Sequence, residues 1–225
     1  MNKKLTIAID GPAGAGKSTV AQIVAQRLGF IYIDTGAMYR AVTLLALREA
    51  MDLGCEAALS SLAQCAEIRL ENREGATKPR VMLNGEDVTG EIRSPEVSRH
   101  VAQVAQVPGV RKQMVELQRR MGKAGGVVMD GRDIGTHVFP RAEIKIFLTA
   151  SIEERALRRG KELQAKGYPV DWEKLKAEIC SRDQMDAERE IAPLIQAPDA
   201  ILLDTTSLDI AGVVDRILLI AREIQ

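Results

Sequence analysis

Gly11-Pro12-Ala13-Gly14-Ala15-Gly16-Lys17-Ser18-Thr19 spells G-x-x-x-x-G-K-[ST], a spacing with a well-defined chemical use. Glycines let consecutive backbone N–H groups turn inward around phosphate oxygens. The helix that the motif opens adds its positive N-terminus. Lys17 in this position neutralises β- and γ-phosphates, and the Ser18 hydroxyl holds Mg²⁺. An apolar run precedes the motif and an amphipathic pattern follows it, the strand and helix that such a loop needs. Residues 11–19 are therefore expected to cradle a nucleoside triphosphate.

A GTPase would add N-K-x-D, which the chain lacks, and Asp87-Val88-Thr89-Gly90 matches D-x-x-G only inside a predicted hairpin. A small kinase would instead need a second set of cations, for the phosphate of its other substrate. Asp34-Thr35-Gly36-Ala37-Met38-Tyr39-Arg40 follows a predicted strand and opens a helix capped by Asp34 or Thr35. That sets the Tyr39 hydroxyl and the Arg40 guanidinium near the first turn, where they can grip an anion. Asp130-Gly131-Arg132-Asp133 ends another apolar run, and a carboxylate at such a strand tip is placed to order Mg²⁺.

Between Trp172 and Arg189, the apolar positions Trp172, Leu175 and Ile179 continue at helical spacing as Arg182, Asp186 and Arg189. A face that turns from apolar to charged without changing direction is expected to run from a core into a cleft. Arg155, Arg158 and Arg159 also share one predicted helical side. The breaker Ala165-Lys166-Gly167-Tyr168-Pro169 separates the two helices, and a hinged pair of this kind suits a lid over phosphates.

The elements that must hold these residues are legible as five short apolar runs: Leu5–Asp10, Phe30–Asp34, Val127–Asp130, Ile144–Thr149 and Ala200–Asp204. Most are continuous rather than alternating, as in strands covered on both faces, and helical patterns separate them. The first helix spans Lys17–Leu28 and stops at Gly29; the last spans Ile210–Ile224. Residues 67–88 break this rhythm by alternating around the turn Asn84-Gly85, which predicts a small antiparallel insert beside the substrate crevice.

With 225 residues, 46% of them apolar, the chain can form one sizeable domain, or one domain plus a small appendage, with its own core. The 31 basic residues balance 31 acidic ones, which excludes a generally basic nucleic-acid binder. Cys55, Cys65 and Cys180 form no C-x-x-C pair, and His100 and His137 stand far apart, so neither a zinc ribbon nor an H-E-x-x-H site is present. No apolar run reaches the roughly 18 residues of a membrane span, and the opening residues lack a signal-peptide pattern. A cytoplasmic protein is expected.

The segments IDGPAGAGKST, DTGAMYR, GEDVTGEIR, DGRDIGTHVFP and SRDQMDAER resemble the bacterial cytidylate kinases, P-loop nucleoside monophosphate kinases, over essentially the whole chain. The resemblance implies a three-layer α/β fold with a five-stranded parallel sheet. It divides the chain into a core of residues 1–62 and 104–225, a lid at about 153–190 and an inserted monophosphate-binding lobe at 63–103. It implies phosphoryl transfer from ATP to CMP or dCMP with Mg²⁺, by a monomer without nucleic-acid or membrane partners. The family's phosphate grip falls on Thr35, Tyr39, Arg40 and Arg132, its cytosine-reading pair on Arg111 and Asp133, and its ribose contacts on Arg182 and Asp186. Charge neutralisation during transfer falls on Lys17, Arg155, Arg159 and Arg189. There is one departure: Ala102 precedes Gln103-Val104-Ala105 where some members place a serine, so that hydroxyl contact to the base is missing. A kinase for another small acceptor such as UMP, AMP or a hydroxy acid, and a non-catalytic NTP-binding switch, are the alternative readings.

Overall fold

The computed structural model describes residues 4–72, 79–165 and 167–224. Residues 73–78 of the expected insert and Lys166 of the expected breaker lie outside them. β1 (Thr6–Asp10) leads into α1 (Lys17–Leu28), β2 (Ile31–Asp34) and α2 (Thr35–Arg48). α3 (Glu56–Cys65), β3 (Ile68–Glu71), β4 (Arg80–Leu83), β5 (Glu86–Asp87), α4 (Pro95–Val104) and α5 (Pro108–Gly122) follow. The chain returns through β6 (Val127–Asp130), β7 (Ile144–Thr149), α6 (Ile152–Ala165), α7 (Trp172–Ala187), β8 (Ile201–Asp204) and α8 (Ile210–Ile224).

Five strands form one parallel sheet in the order β2-β6-β1-β7-β8. Parallel strands need covering on both faces, and the side-chain alternation of β1 shows how each is supplied. Ile7 and Ile9 pack with α1 and α8 through Val20, Val24, Val213 and Ile217. Ala8 points to the other face, with Ile33, Met129 and Val115. All three β1 residues are fully buried, so truncating Ile7 to Ala is expected to cost about 2–5 kcal/mol. β8 differs from the expected two-sided burial. It is the edge strand of the sheet among the described residues, with Leu202 53% exposed.

The strand registers set the site. Asp34 of β2 stands beside Asp130 of β6, and Ile9 of β1 beside Asp130 on the other side, so the carboxyl ends of three strands meet. The second sheet, β3-β4-β5, is antiparallel and turns at Asn84-Gly85, with Asn84 at φ 50° and Gly85 at φ 86°. It shares a core with α2, α3, α4 and α5: Val81 and Leu83 lie among Met38, Leu59, Val101 and Met114. That core takes residues from both sides of 63–103.

Candidate functional site

A cleft of about 1490 Å³ opens over the carboxyl ends of the parallel strands. Gly14–Thr19 form its floor at one end, α2 and α4 one wall, and α6 and α7 the other. The loop conformation depends on glycine. Gly11 has φ 143°, and a Cβ there would come within 1.9 Å of the Leu148 carbonyl oxygen; Gly16, at φ 88°, caps α1 in the left-handed region. Lys17 Nζ donates to the Pro12 carbonyl at 2.7 Å, which folds the lysine back over the loop. Burial, and then Arg132 nearby, bring its amine down to about 7.

Ser18 Oγ donates to Asp130 Oδ2 at 2.9 Å, and Tyr32 donates to Asp130 Oδ1 at 2.7 Å. Burial, and then Asp34, push Asp130 up to about 6. The hydroxyl and carboxylate expected to serve Mg²⁺ therefore lie side by side. They are hard oxygen donors of the type that ion takes, beside a loop built for phosphates. Among the described residues no three His, Cys, Asp or Glu side chains gather as a self-sufficient metal cage.

The second cation set occupies the rest of the cleft. Asp34 caps α2 by accepting from Ala37 N at 2.9 Å, and Thr35 Oγ1 donates to the Asp130 carbonyl at 2.6 Å. Arg40 donates to the Ile92 carbonyl and to Ser98 Oγ, at 3.1 and 2.8 Å. Burial, and then Arg182 and Arg159, lower Arg40 to about 9. Arg132 Nε donates to Asp186 Oδ2 at 2.7 Å. Burial alone would lower Arg132, but Asp186, with Asp130 and Asp183, outweighs it and holds the guanidinium above its ordinary value. On Asp186, burial acts upward and the charges of Arg132, Arg182 and Arg189 prevail, holding it low.

The α7 face runs as expected from Leu175 and Ile179, both buried, through Arg182 to Asp186; Arg189 lies just past the helix end and lines the cleft too. Trp172 corrects the expected stripe: it is 42% exposed and lies on Gly160 of α6, not in the core. Arg182 does not pair with Asp186 as an i, i+4 surface couple. Its buried Nε has no hydrogen-bond partner among the described residues, and burial, and then Arg132, lower it to about 10.

Arg155, Arg158 and Arg159 do not point one way. Arg155 lies beneath the phosphate loop, bonded to the carbonyls of Ala150 and Ala13 and to Asp183, and does not line the cleft. Arg158 donates to the Thr205 carbonyl and hydroxyl, at 2.6 and 3.0 Å, while Arg159 reaches Ser98 Oγ at 3.3 Å. Their spacing does put the three on one side of α6, but each long side chain reaches a different partner, so the guanidinium groups separate. Arg111 is also outside the cleft wall: 1% exposed, it pairs with Asp133 at 2.5 Å, so only Asp133 faces the cavity. Buried Tyr39 lies under the Arg111 guanidinium, 5.7 Å from ring to cation, its phenol pushed up to about 12 by burial. Ala102, also buried, contributes a methyl to the wall.

Sequence reasoning passed over Ser98 and Arg93. Ser98 Oγ receives both Arg40 and Arg159. Arg93 lines the cleft and donates to Asp34 Oδ2 at 3.2 Å. Neither sits in a spacing motif; only the GEDVTGEIR segment hinted at Arg93.

The sequence profile of the family described as Cytidylate kinase matches residues 7–223. A cytidylate kinase of Bacillus velezensis is 58% identical over 224 residues, covering 99% of both chains. One of Bacillus subtilis is 55% identical over 218 residues, covering 97% of this chain and 96% of that one. Among solved structures, a shikimate kinase of Bacteroides thetaiotaomicron superposes with TM-score 0.51 at 15% identity, over 98% of this chain and 99% of that one. At that identity the likeness is one of fold alone.

Proposed function

From the chain's membership of the cytidylate kinase family, to which it belongs by a match over residues 7–223, we propose how its cleft divides between two nucleotides. The protein is a (d)CMP kinase: it transfers the terminal phosphoryl group of ATP to CMP or dCMP, giving ADP and CDP or dCDP. What supports the division is the continuity of the cavity, which runs from the phosphate loop to the wall carrying Arg40, Arg132 and Arg182.

On the donor side, the amides of Gly14–Thr19 take the β- and γ-phosphates, and Lys17 leaves the Pro12 carbonyl for them. Incoming phosphates offset the repulsion between Lys17 and Arg132 and return the lysine to its charged form. Ser18 and Asp130 hold Mg²⁺, which when bound supplies electrophilic stabilisation of charge on the transferring group. On the acceptor side Thr35, Tyr39, Arg40 and Arg132 hold the CMP phosphate, Asp133 held by Arg111 reads the base, and Arg182 and Asp186 take the ribose.

An oxygen of the acceptor phosphate attacks the γ-phosphorus in line. The bond from that phosphorus to the β–γ bridging oxygen breaks, and ADP leaves with the bond's electron pair. The acceptor oxygen is already ionised, so no strong general base is required. Alignment and charge neutralisation by Lys17, Arg159 and Arg189 carry the rate. Arg155 supports them from below the loop through the Ala13 carbonyl.

A coupled ADP-release assay with CMP, dCMP, UMP, AMP and shikimate as acceptors tests the assignment. CMP and dCMP are expected to give the highest kcat/KM by at least about tenfold. A preference for AMP or shikimate would contradict it.

A further inference from the structure

Asp10 is the last residue of β1 and immediately precedes the phosphate loop, yet it does not line the cleft. Its carboxylate is buried at 5% exposure. Oδ1 accepts from Ile134 N at 2.8 Å and Oδ2 from Gly135 N at 2.7 Å. One residue earlier, the Ile9 carbonyl accepts from Gly131 N at 3.0 Å. The stretch 131–135 therefore hangs from the end of β1 at both of its ends, and between those points it carries Arg132 and Asp133.

We propose that Asp10 is a positioning residue that fixes the acceptor-gripping segment to the strand from which the phosphate loop springs. The inference rests on the assignment of Arg132 and Asp133 to the acceptor. In-line transfer tolerates little error in the distance between the two nucleotides, so a rigid link between their binding segments has a direct use. The packing leaves the link no slack. A Cβ on Gly135 would lie 3.2 Å from Lys145 Cδ and 3.4 Å from Asp10 Oδ2. Lys145 itself is held by Asp199 and the Pro140 carbonyl.

The charged groups around Asp10 act in opposite directions. Burial pushes its carboxyl up to about 6; the two amides and Lys17 pull it down, and Asp133 pushes it up. At neutral pH it is ionised, and both hydrogen bonds are charge-assisted. Asn keeps the shape but offers one acceptor oxygen. Its NH₂ group then faces the second backbone N–H, donor against donor.

Steady-state kinetics of Asp10→Asn, with amide NMR of residues 131–135, tests this. Losing a hydrogen bond to a charged group shifts an equilibrium roughly 10- to 150-fold. The expected result is a KM for CMP raised at least about tenfold, a KM for ATP within about twofold, and displaced Ile134 and Gly135 amide resonances. Unchanged KM for CMP despite displaced amides overturns the inference, and so does an equal rise in both KM values. Arg132→Met run alongside separates two failures. If it raises the KM for CMP and Asp10→Asn does not, only the role of Asp10 is wrong. If neither does, the acceptor assignment has failed and takes the inference with it. Should Asp10→Asn not fold, hydrogen exchange on the wild type decides. Protected Ile134 and Gly135 amides that CMP protects further support the link; fast exchange there, or no response to CMP, overturns it.

Discussion

Arg132 Nε donates to Asp186 Oδ2 at 2.7 Å, tying the segment after β6 to the last turn of α7 across 54 residues of sequence. The neighbouring Arg182 keeps its buried Nε without a hydrogen-bond partner among the described residues.

The first prediction follows from that donor. A hydrogen bond to a charged group contributes roughly 1.5–3 kcal/mol. If Arg182 reads the sugar hydroxyls, Arg182→Met lowers kcat/KM for CMP roughly 10- to 150-fold and for dCMP less, because dCMP lacks the 2′-hydroxyl. Asp186→Asn lowers both, since it also leaves the Arg132 charge buried without its partner. Changes under twofold for both nucleotides with Arg182→Met would place the side chain outside the sugar site.

Protons should move when the donor nucleotide binds. Lys17 is held at about 7 against an ordinary value of 10.5. Between those values the unfolded chain binds this proton and the folded chain does not, so the residue's contribution to stability grows as pH rises through that window. Phosphates restore the charge. Calorimetry of ATP binding at pH 8 in buffers of different ionisation enthalpy should show uptake approaching one proton per site, lost in Lys17→Met. The same uptake in both proteins would contradict the assignment.

Metal dependence should follow the Ser18–Asp130 contact. Ser18→Ala and Asp130→Asn are each expected to raise the Mg²⁺ concentration for half-maximal rate by about 10–100-fold, the usual effect of removing a metal-supporting group. CMP affinity measured without ATP should stay within about threefold. An unchanged Mg²⁺ response would remove both residues from the metal site.

The chain has one tryptophan, Trp172, and its ring lies against Gly160, where a Cβ would come within 2.2 Å of Cζ3. This contact packs the start of α7 against α6, the two helices expected to form a lid. Trp172 emission is expected to change most when both nucleotides bind, in step with slower proteolysis at 161–168, and Gly160→Ala is expected to blunt both responses. Equal protection by CMP alone would argue against a lid that closes on the pair.

The sheet and the phosphate loop were legible in the sequence because each is local: a buried parallel strand is a continuous apolar run, and the loop's glycines and lysine stand at fixed spacing. The α7 face was legible as far as helical periodicity reaches, from Leu175 to Asp186. Its partner was not. That Arg132 rather than Arg182 takes Asp186 depends on how two distant segments meet. Ser98 and Asp10 were illegible for the same reason, since their bonding partners are Arg40, Arg159, Ile134 and Gly135. Trp172 misled because its apolar spacing is also satisfied by packing on a glycine at the surface.

The central claim is that one cleft holds two separable phosphate sites, and Lys17→Ala tests it most directly. Lys17 is assigned to the donor side and Arg132 to the acceptor, although Arg132 is close enough to lower the Lys17 amine. Titration calorimetry of CMP into Lys17→Ala without ATP should give a Kd within about threefold of wild type, while CDP formation from ATP and CMP disappears. A CMP Kd weakened tenfold or more would mean that the lysine serves both nucleotides, and the division of the cleft proposed here would be wrong.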